Sequence, residues 1–241
     1  MKKRMGILVT SMFLILPTIA SAEKEKDWHL VEPSSPGIEA KWLEELGPEF
    51  QQEYNTYNIQ QKKEILSEFY NASKKTEEFK KQLANNENSK YLTQQASSRW
   101  TGSGMGTMGD ALVSLDNGSS SFRWGHAGIV ADNNAYVFEA NPGEGVQRKA
   151  NYWNTYYNSK YALYVKGATT NAYQGAQHYG WQQWRNGKPY GLSMNKWDES
   201  SYYCSKLVWR AWKNEGVDLD ADGGPTVWPV DILNSSQTVS Y

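Results

Sequence analysis

Cysteine is almost absent from this chain of 241 residues, which holds only Cys204. A single thiol excludes an internal disulfide and any zinc site built from several cysteines. Histidine is scarce too, and neither His29 nor His178 has a histidine or cysteine companion at zinc-ligand spacing. The one long apolar run, Met5 to Leu16, lies at the start, so no later segment is expected to span a bilayer. Neither sign of charge dominates, with 25 Lys and Arg against 26 Asp and Glu, which argues against a nucleic-acid binder driven by charge. There is no internal repeat of useful length and no low-complexity tract.

What is present begins with an export signal. Met1-Lys2-Lys3-Arg4, the apolar run and Ala20-Ser21-Ala22 read as a secretory signal peptide over residues 1–22, so the chain is expected to be secreted or extracytoplasmic after cleavage near Ala22. Losing three basic residues moves the net charge from −1 to about −4. In an exported protein a lone cysteine is either a reactive thiol, a partner for an intermolecular bridge or a small core residue.

Cys204 stands in Tyr202-Tyr203-Cys204-Ser205-Lys206-Leu207-Val208-Trp209, at what reads as the first turn of a helix over about Ser201 to Asn214. Uncapped amides and the positive end of the helix dipole favour a thiolate there. The same helix places Cys204, Leu207, Val208, Ala211 and Trp212 at core spacing, so burial without chemistry explains the cysteine equally well from the helix alone. A base is available in His126, within Trp124-Gly125-His126-Ala127-Gly128-Ile129-Val130. Trp124 to Ala131 and Ala135 to Ala140 read as two strands joined by a tight Asn133-Asn134 turn. That register sets Gly128 opposite Glu139 and His126 opposite Asn141, which makes His126 and Glu139 diagonal neighbours on one face. A slip of one residue would separate them.

The organisation falls into three parts, residues 1–22, 23–95 and 96–241. After a charged arm, Ile38 to Leu83 is helical in pattern, with Trp42, Leu43 and Leu46 in one stripe before Gly47-Pro48 and Ile65, Leu66, Phe69, Phe79 and Leu83 in its continuation. Asn85-Asn86-Glu87-Asn88-Ser89 reads as a linker. Strands are expected at Asp110 to Leu115, through the His126 hairpin, at Gly145 to Ala150 and at Ala162 to Val165, followed by a helix over about Asn171 to Trp184. Segregated strands and helices predict an α+β fold, an antiparallel sheet packed on the Cys204 helix with an N-terminal helical extension. Most tryptophans lie from Trp100 onward, either as core padding or as the lining of a cleft. Asp218-Leu219-Asp220-Ala221-Asp222-Gly223 matches the start of a calcium loop, but the twelfth position is Pro229 instead of glutamate.

Gly109-Asp110-Ala111-Leu112-Val113, Trp124 to Val130, Val137-Phe138-Glu139-Ala140, Gly187-Lys188-Pro189-Tyr190 and Tyr203 to Val208, in this order, resemble the circularly permuted YiiX-type branch of the NlpC-type papain-like cysteine hydrolases. The resemblance covers roughly Trp100 to Leu233. It implies a permuted papain-like fold, Cys204 as nucleophile, His126 as general base and then acid, and Glu139 as the residue orienting the imidazole. Many relatives carry histidine, asparagine or glutamine at that third position, so Glu139 is a departure. Tyr190 and Tyr203 are implied as oxyanion or substrate contacts, and no cofactor or metal is implied. The activity implied is amide hydrolysis, with cell-wall peptides as the leading substrate class and no nucleic-acid partner. Two other readings stay open: a lipid-ester hydrolase or acyltransferase of the permuted group, and a non-catalytic module binding a peptide, amino acid or glycan on the same scaffold.

Overall fold

The computed structural model describes residues 28–85, 104–116 and 124–241. The signal sequence, most of the expected linker and Trp100 lie outside the described residues. A 3-10 turn at Trp28–Leu30 leads into α1 (Ile38–Asn55) and α2 (Ile59–Ala84). Gly47 breaks α1 with φ 79° and ψ −179°, and Pro48 restarts the helix, because proline is tolerated at a first turn and not in an interior. α2 starts at a capping box in which Asn58 accepts from the Gln61 amide and the Gln61 side chain accepts from the Asn58 amide.

Six strands follow, interleaved with helices: β1 (Ala111–Ser114), β2 (His126–Val130), β3 (Tyr136–Asn141), β4 (Gly145–Ala150), α3 (Trp153–Tyr156), β5 (Lys160–Val165), α4 (Thr170–Arg185), α5 (Cys204–Asn214), α6 (Pro229–Asn234) and β6 (Thr238–Ser240). The sheet is antiparallel throughout, in the order β4-β3-β2-β1-β5-β6. Alternation along each strand divides its side chains. Ala127, Ile129, Phe138 and Ala140 join the main core under α4 and α5, whereas Val130, Val137 and Ala162 face a smaller cluster with Trp153 and Tyr157. The fold is therefore α+β, as the segregation of patterns predicted. α3, α6 and β6 are additions to the expected elements.

The β2–β3 register is the expected one, with Ile129 opposite Phe138 and Val130 opposite Val137. The turn is longer than expected. Ala131 donates its amide to Tyr136, closing a four-residue loop in which only Asn134 has a positive φ, 47°. A two-residue turn of the expected kind needs two such residues. Here the Asn134 amide side chain is buried and donates to the carbonyls of Gly104 and Gly106, so tertiary bonds decide the turn geometry.

The N-terminal helices share the main core with the sheet. Trp42 stacks on Trp124 at 5.2 Å, Phe69 stacks on Trp124 at 5.0 Å, and Trp228 closes the cluster. The Trp124 indole N–H donates to the Phe69 carbonyl and the Ser73 hydroxyl. Because Trp124 is two residues before His126, this aromatic cluster anchors α1 and α2 on the strand that carries the imidazole.

Candidate active site

β2 and β3 part beyond the Ile129–Phe138 pair, and the N-terminus of α5 comes in at that point. Odd-numbered residues of β2 turn their amides toward β3, as the Ala131 bond to Tyr136 shows. The Ala127 amide would continue the ladder, but it donates instead to the sulfur of Cys204. The opening of one hairpin thus supplies a backbone donor to the thiol.

His126 and Glu139 lie on one face as diagonal neighbours, and the ring Nε2 is 2.6 Å from a carboxylate oxygen of Glu139. The ring also hydrogen-bonds the Cys204 thiol. With Nε2 held by Glu139, Nδ1 is the nitrogen left to face sulfur. His126 is 2% exposed, Glu139 7% and Cys204 8%, so the chain of three groups is largely withdrawn from water. Burial is the largest influence on the His126 pKa and pulls it down. The Glu139 charge and the hydrogen bonds to Cys204 and Glu139 outweigh it and raise the value to about 10. Burial likewise pushes the Cys204 thiol up, and the hydrogen bond and charge of His126, with the Ala127 amide and Ser205, bring it below its ordinary value. Both directions favour a thiolate beside an imidazolium.

Tyr203 is the residue before α5, and its side chain makes no capping bond. The first amides of α5 therefore lack a side-chain acceptor and remain available to an anion near Cys204. The Tyr203 hydroxyl accepts instead from the Val227 amide, in the packing between α5 and α6. Tyr190 is half-buried in a short parallel bridge to Tyr202, alongside the segment that enters α5.

Three side chains near the site had no recognisable signal in the sequence. Trp153 and Tyr157, at the two ends of the single turn α3, lie over the His126 ring at centroid distances of 5.5 and 6.0 Å, tilted by only 19° and 24°. Gly128 makes room for them, since a Cβ there would lie 2.5 Å from Val137 Cγ1 and 3.3 Å from the Trp153 indole. The third is Lys206, fully buried, whose ammonium has no hydrogen-bond partner among the described residues and sits over the Tyr202 and Tyr203 rings. Burial draws its pKa down to about 8.

The acidic loop does not assemble as the calcium pattern suggests. Asp218 turns to the Trp209 indole and to Lys213. Asp220 and Asp222 gather instead with Asp231, with oxygens within 4.8 Å of one another. Lys196 pairs with Asp220, and Lys75 pairs with Asp222 and Asp231, so ammonium groups already neutralise much of this charge.

Among known proteins, residues 111–222 match the family described as permuted papain-like amidase enzyme, YaeF/YiiX, C92 family. The protein YycO of Bacillus subtilis (strain 168), described as uncharacterized, is 30% identical over 127 residues, which are 49% of either chain. The chain thus spans about half the length of that curated relative. Among solved structures, metalloprotein yiiX from Escherichia coli O157:H7 is similar at 20% identity, over 56% of this chain and 96% of that one, with a TM-score of 0.45. The matched residues, just under half of the chain, include His126, Glu139 and Cys204, with the histidine strand before the cysteine helix, and over this span the chain is similar to the permuted papain-like YaeF/YiiX, C92 family.

Proposed function

We propose that the protein is a cysteine hydrolase of amide bonds, with Cys204 as nucleophile, His126 as general base and then acid, and Glu139 holding the imidazole. The observation that carries this reading is the continuous hydrogen-bonded chain from the Cys204 thiol through His126 to Glu139 at the uncapped start of α5. His126 takes the thiol proton, and the thiolate attacks the substrate carbonyl carbon. The oxyanion that forms is met by the first amides of α5. Collapse expels the amine, which receives the proton from His126 and leaves a thioester on Cys204. A water, deprotonated by the same ring, then releases the acid and restores the thiol.

The match of residues 111–222 to an amidase family supports amide over ester substrates. The export signal read in the sequence directs the choice of amide to peptides of the bacterial cell wall, met outside the cytoplasm. The test is release of soluble products from purified peptidoglycan, analysed by mass, with the intact chain and with Cys204→Ser. New amino and carboxyl ends released by the first and not by the second support the reading. Equal release by both removes the thiol from the mechanism, and activity confined to lipid esters moves the protein to the acyltransferase alternative.

A further inference from the structure

A recess lies on the other face of the sheet from His126. It is a cleft of about 330 Å³ between α4 and the β3–β4 ladder, lined by Asp132, Phe138, Arg148, Gln177, His178, Trp181 and Trp184. Its size is at the lower end of small-ligand clefts. The floor is aromatic: α4 approaches β3 closely at Gly180, where a Cβ would lie 3.0 Å from Phe138, and Trp184 packs on the Phe138 ring at 6.2 Å. Gln177, Trp181 and Trp184 follow at i, i+4 and i+7 and so face the cleft together.

Two features distinguish this surface from ordinary packing. Trp181 is 41% exposed, and the exposed His178 ring stacks nearly parallel to it at 5.3 Å, so that the two rings together form one exposed aromatic wall. Opposite, Arg148 is held with its guanidinium 3.4 Å above the Tyr136 ring, and Arg185 approaches the rings of Trp181 and Trp184 at 6.0 and 5.9 Å. Among the described residues no carboxylate pairs with either arginine. Stacking fixes the plane of a guanidinium and leaves its N–H edge free for a two-pronged bond to an acid group. Asp132 and Gln177 add an acceptor and an amide for hydroxyl or amide groups.

We infer that this cleft is a binding site for an acidic saccharide, its ring lying along the Trp181–His178 wall and its carboxylate or phosphate on the Arg148 guanidinium. A flat ring with one apolar face and polar edges satisfies the aromatic wall and the polar rim together. An anion satisfies an arginine that has no acidic partner among the described residues. Since the cleft lies on the opposite face of the sheet from His126 and Glu139, and Cys204 is not among the residues that line it, the site would hold a saccharide without taking part in the chemistry.

Isothermal titration of the intact chain with the disaccharide of N-acetylglucosamine and N-acetylmuramic acid, which carries a carboxylate and no peptide, tests this directly. Binding is expected, with at least tenfold weaker affinity for neutral chitobiose and at least tenfold loss in both Arg148→Gln and Trp181→Ala. Both variants are at surface positions and are expected to melt as the parent does. Competition by glucose 1-phosphate would assign the anion site to sugar phosphates as well as sugar carboxylates, and its failure would assign it to carboxylates alone. Equal binding of chitobiose overturns the anion contact, competition by inorganic phosphate as strong as by either sugar acid overturns the ring contact, and unchanged affinity in both variants overturns the site. None of these results depends on turnover at Cys204, so the failure of one proposal is distinguishable from that of the other.

Discussion

Among single residues, the chemistry of the site turns on what Glu139 does to His126. A carboxylate 2.6 Å from the ring, in a place nearly closed to water, holds the proton on the imidazole, and an imidazolium in turn holds the thiolate. His126→Ala is expected to slow turnover by on the order of 10²–10⁴, the range for a positioned acid–base group. Glu139→Gln is expected to cost less, because a neutral amide still orients the ring, but it should also change the pH profile. The sign follows from the raised His126 pKa: the charged ring persists until pH rises through about 10, so the alkaline limb of the rate profile lies high. Without the carboxylate the ring loses its proton at lower pH, and the alkaline limb moves down. Steady-state rates across pH for the two variants check both the ordering and the direction, and a Glu139→Gln profile superposable on the parent's would show that the carboxylate does not tune the imidazole.

At the scale of elements, the hairpin and α3 teach different lessons. The β2–β3 register was legible because alternation along two strands and an asparagine-rich turn leave few pairings, and a slip would have buried the wrong residues. The turn itself was misjudged in length because the Asn134 side chain reaches Gly104 and Gly106, contacts without a local signal. α3 was invisible for a related reason. Trp153 to Tyr156 is too short to show periodicity, and part of what holds it is distant: Asp116 accepts from the Asn158 and Ser159 amides, while the nearby Lys160 donates to the Asn154 and Tyr157 carbonyls. Trp153→Ala would remove the larger ring over His126 and admit water to the imidazole–carboxylate pair. A loss of stability of about 3–5 kcal/mol is expected for a buried tryptophan. Trp153→Phe keeps a ring, so it should recover most of the stability and, if the cover matters to His126, most of the parent pH profile. A folded Trp153→Ala protein with an altered pH profile that Trp153→Phe restores would locate the effect in lost aromatic cover, whereas a parental profile in folded Trp153→Ala would make the residue packing alone.

At the scale of the whole molecule, the N-terminal helices are bound into the main core. Trp42, Phe69, Trp124 and Trp228 form one aromatic cluster, and Glu68 and Lys75 of α2 meet Thr226, Asp222 and Asp231 across the same boundary. The stripes of Trp42, Leu46, Leu66 and Phe69 announced that these helices need a partner surface, but nothing in their sequence said which. A chain beginning near Asn88 is expected to melt at lower temperature and to precipitate more readily, since Trp124 and Trp228 would face water. Unchanged melting would make the helices an accessory arm. The central claim, that folding alone assembles a thiolate–imidazolium pair, is tested most directly by the rate at which iodoacetamide alkylates Cys204 as a function of pH, in the native chain and in urea. The account predicts that the native thiol becomes reactive well below the ~8.5 of a free cysteine and that unfolding returns it to that value. A native thiol that stays inert, or that ionises at the same pH folded and unfolded, would contradict it.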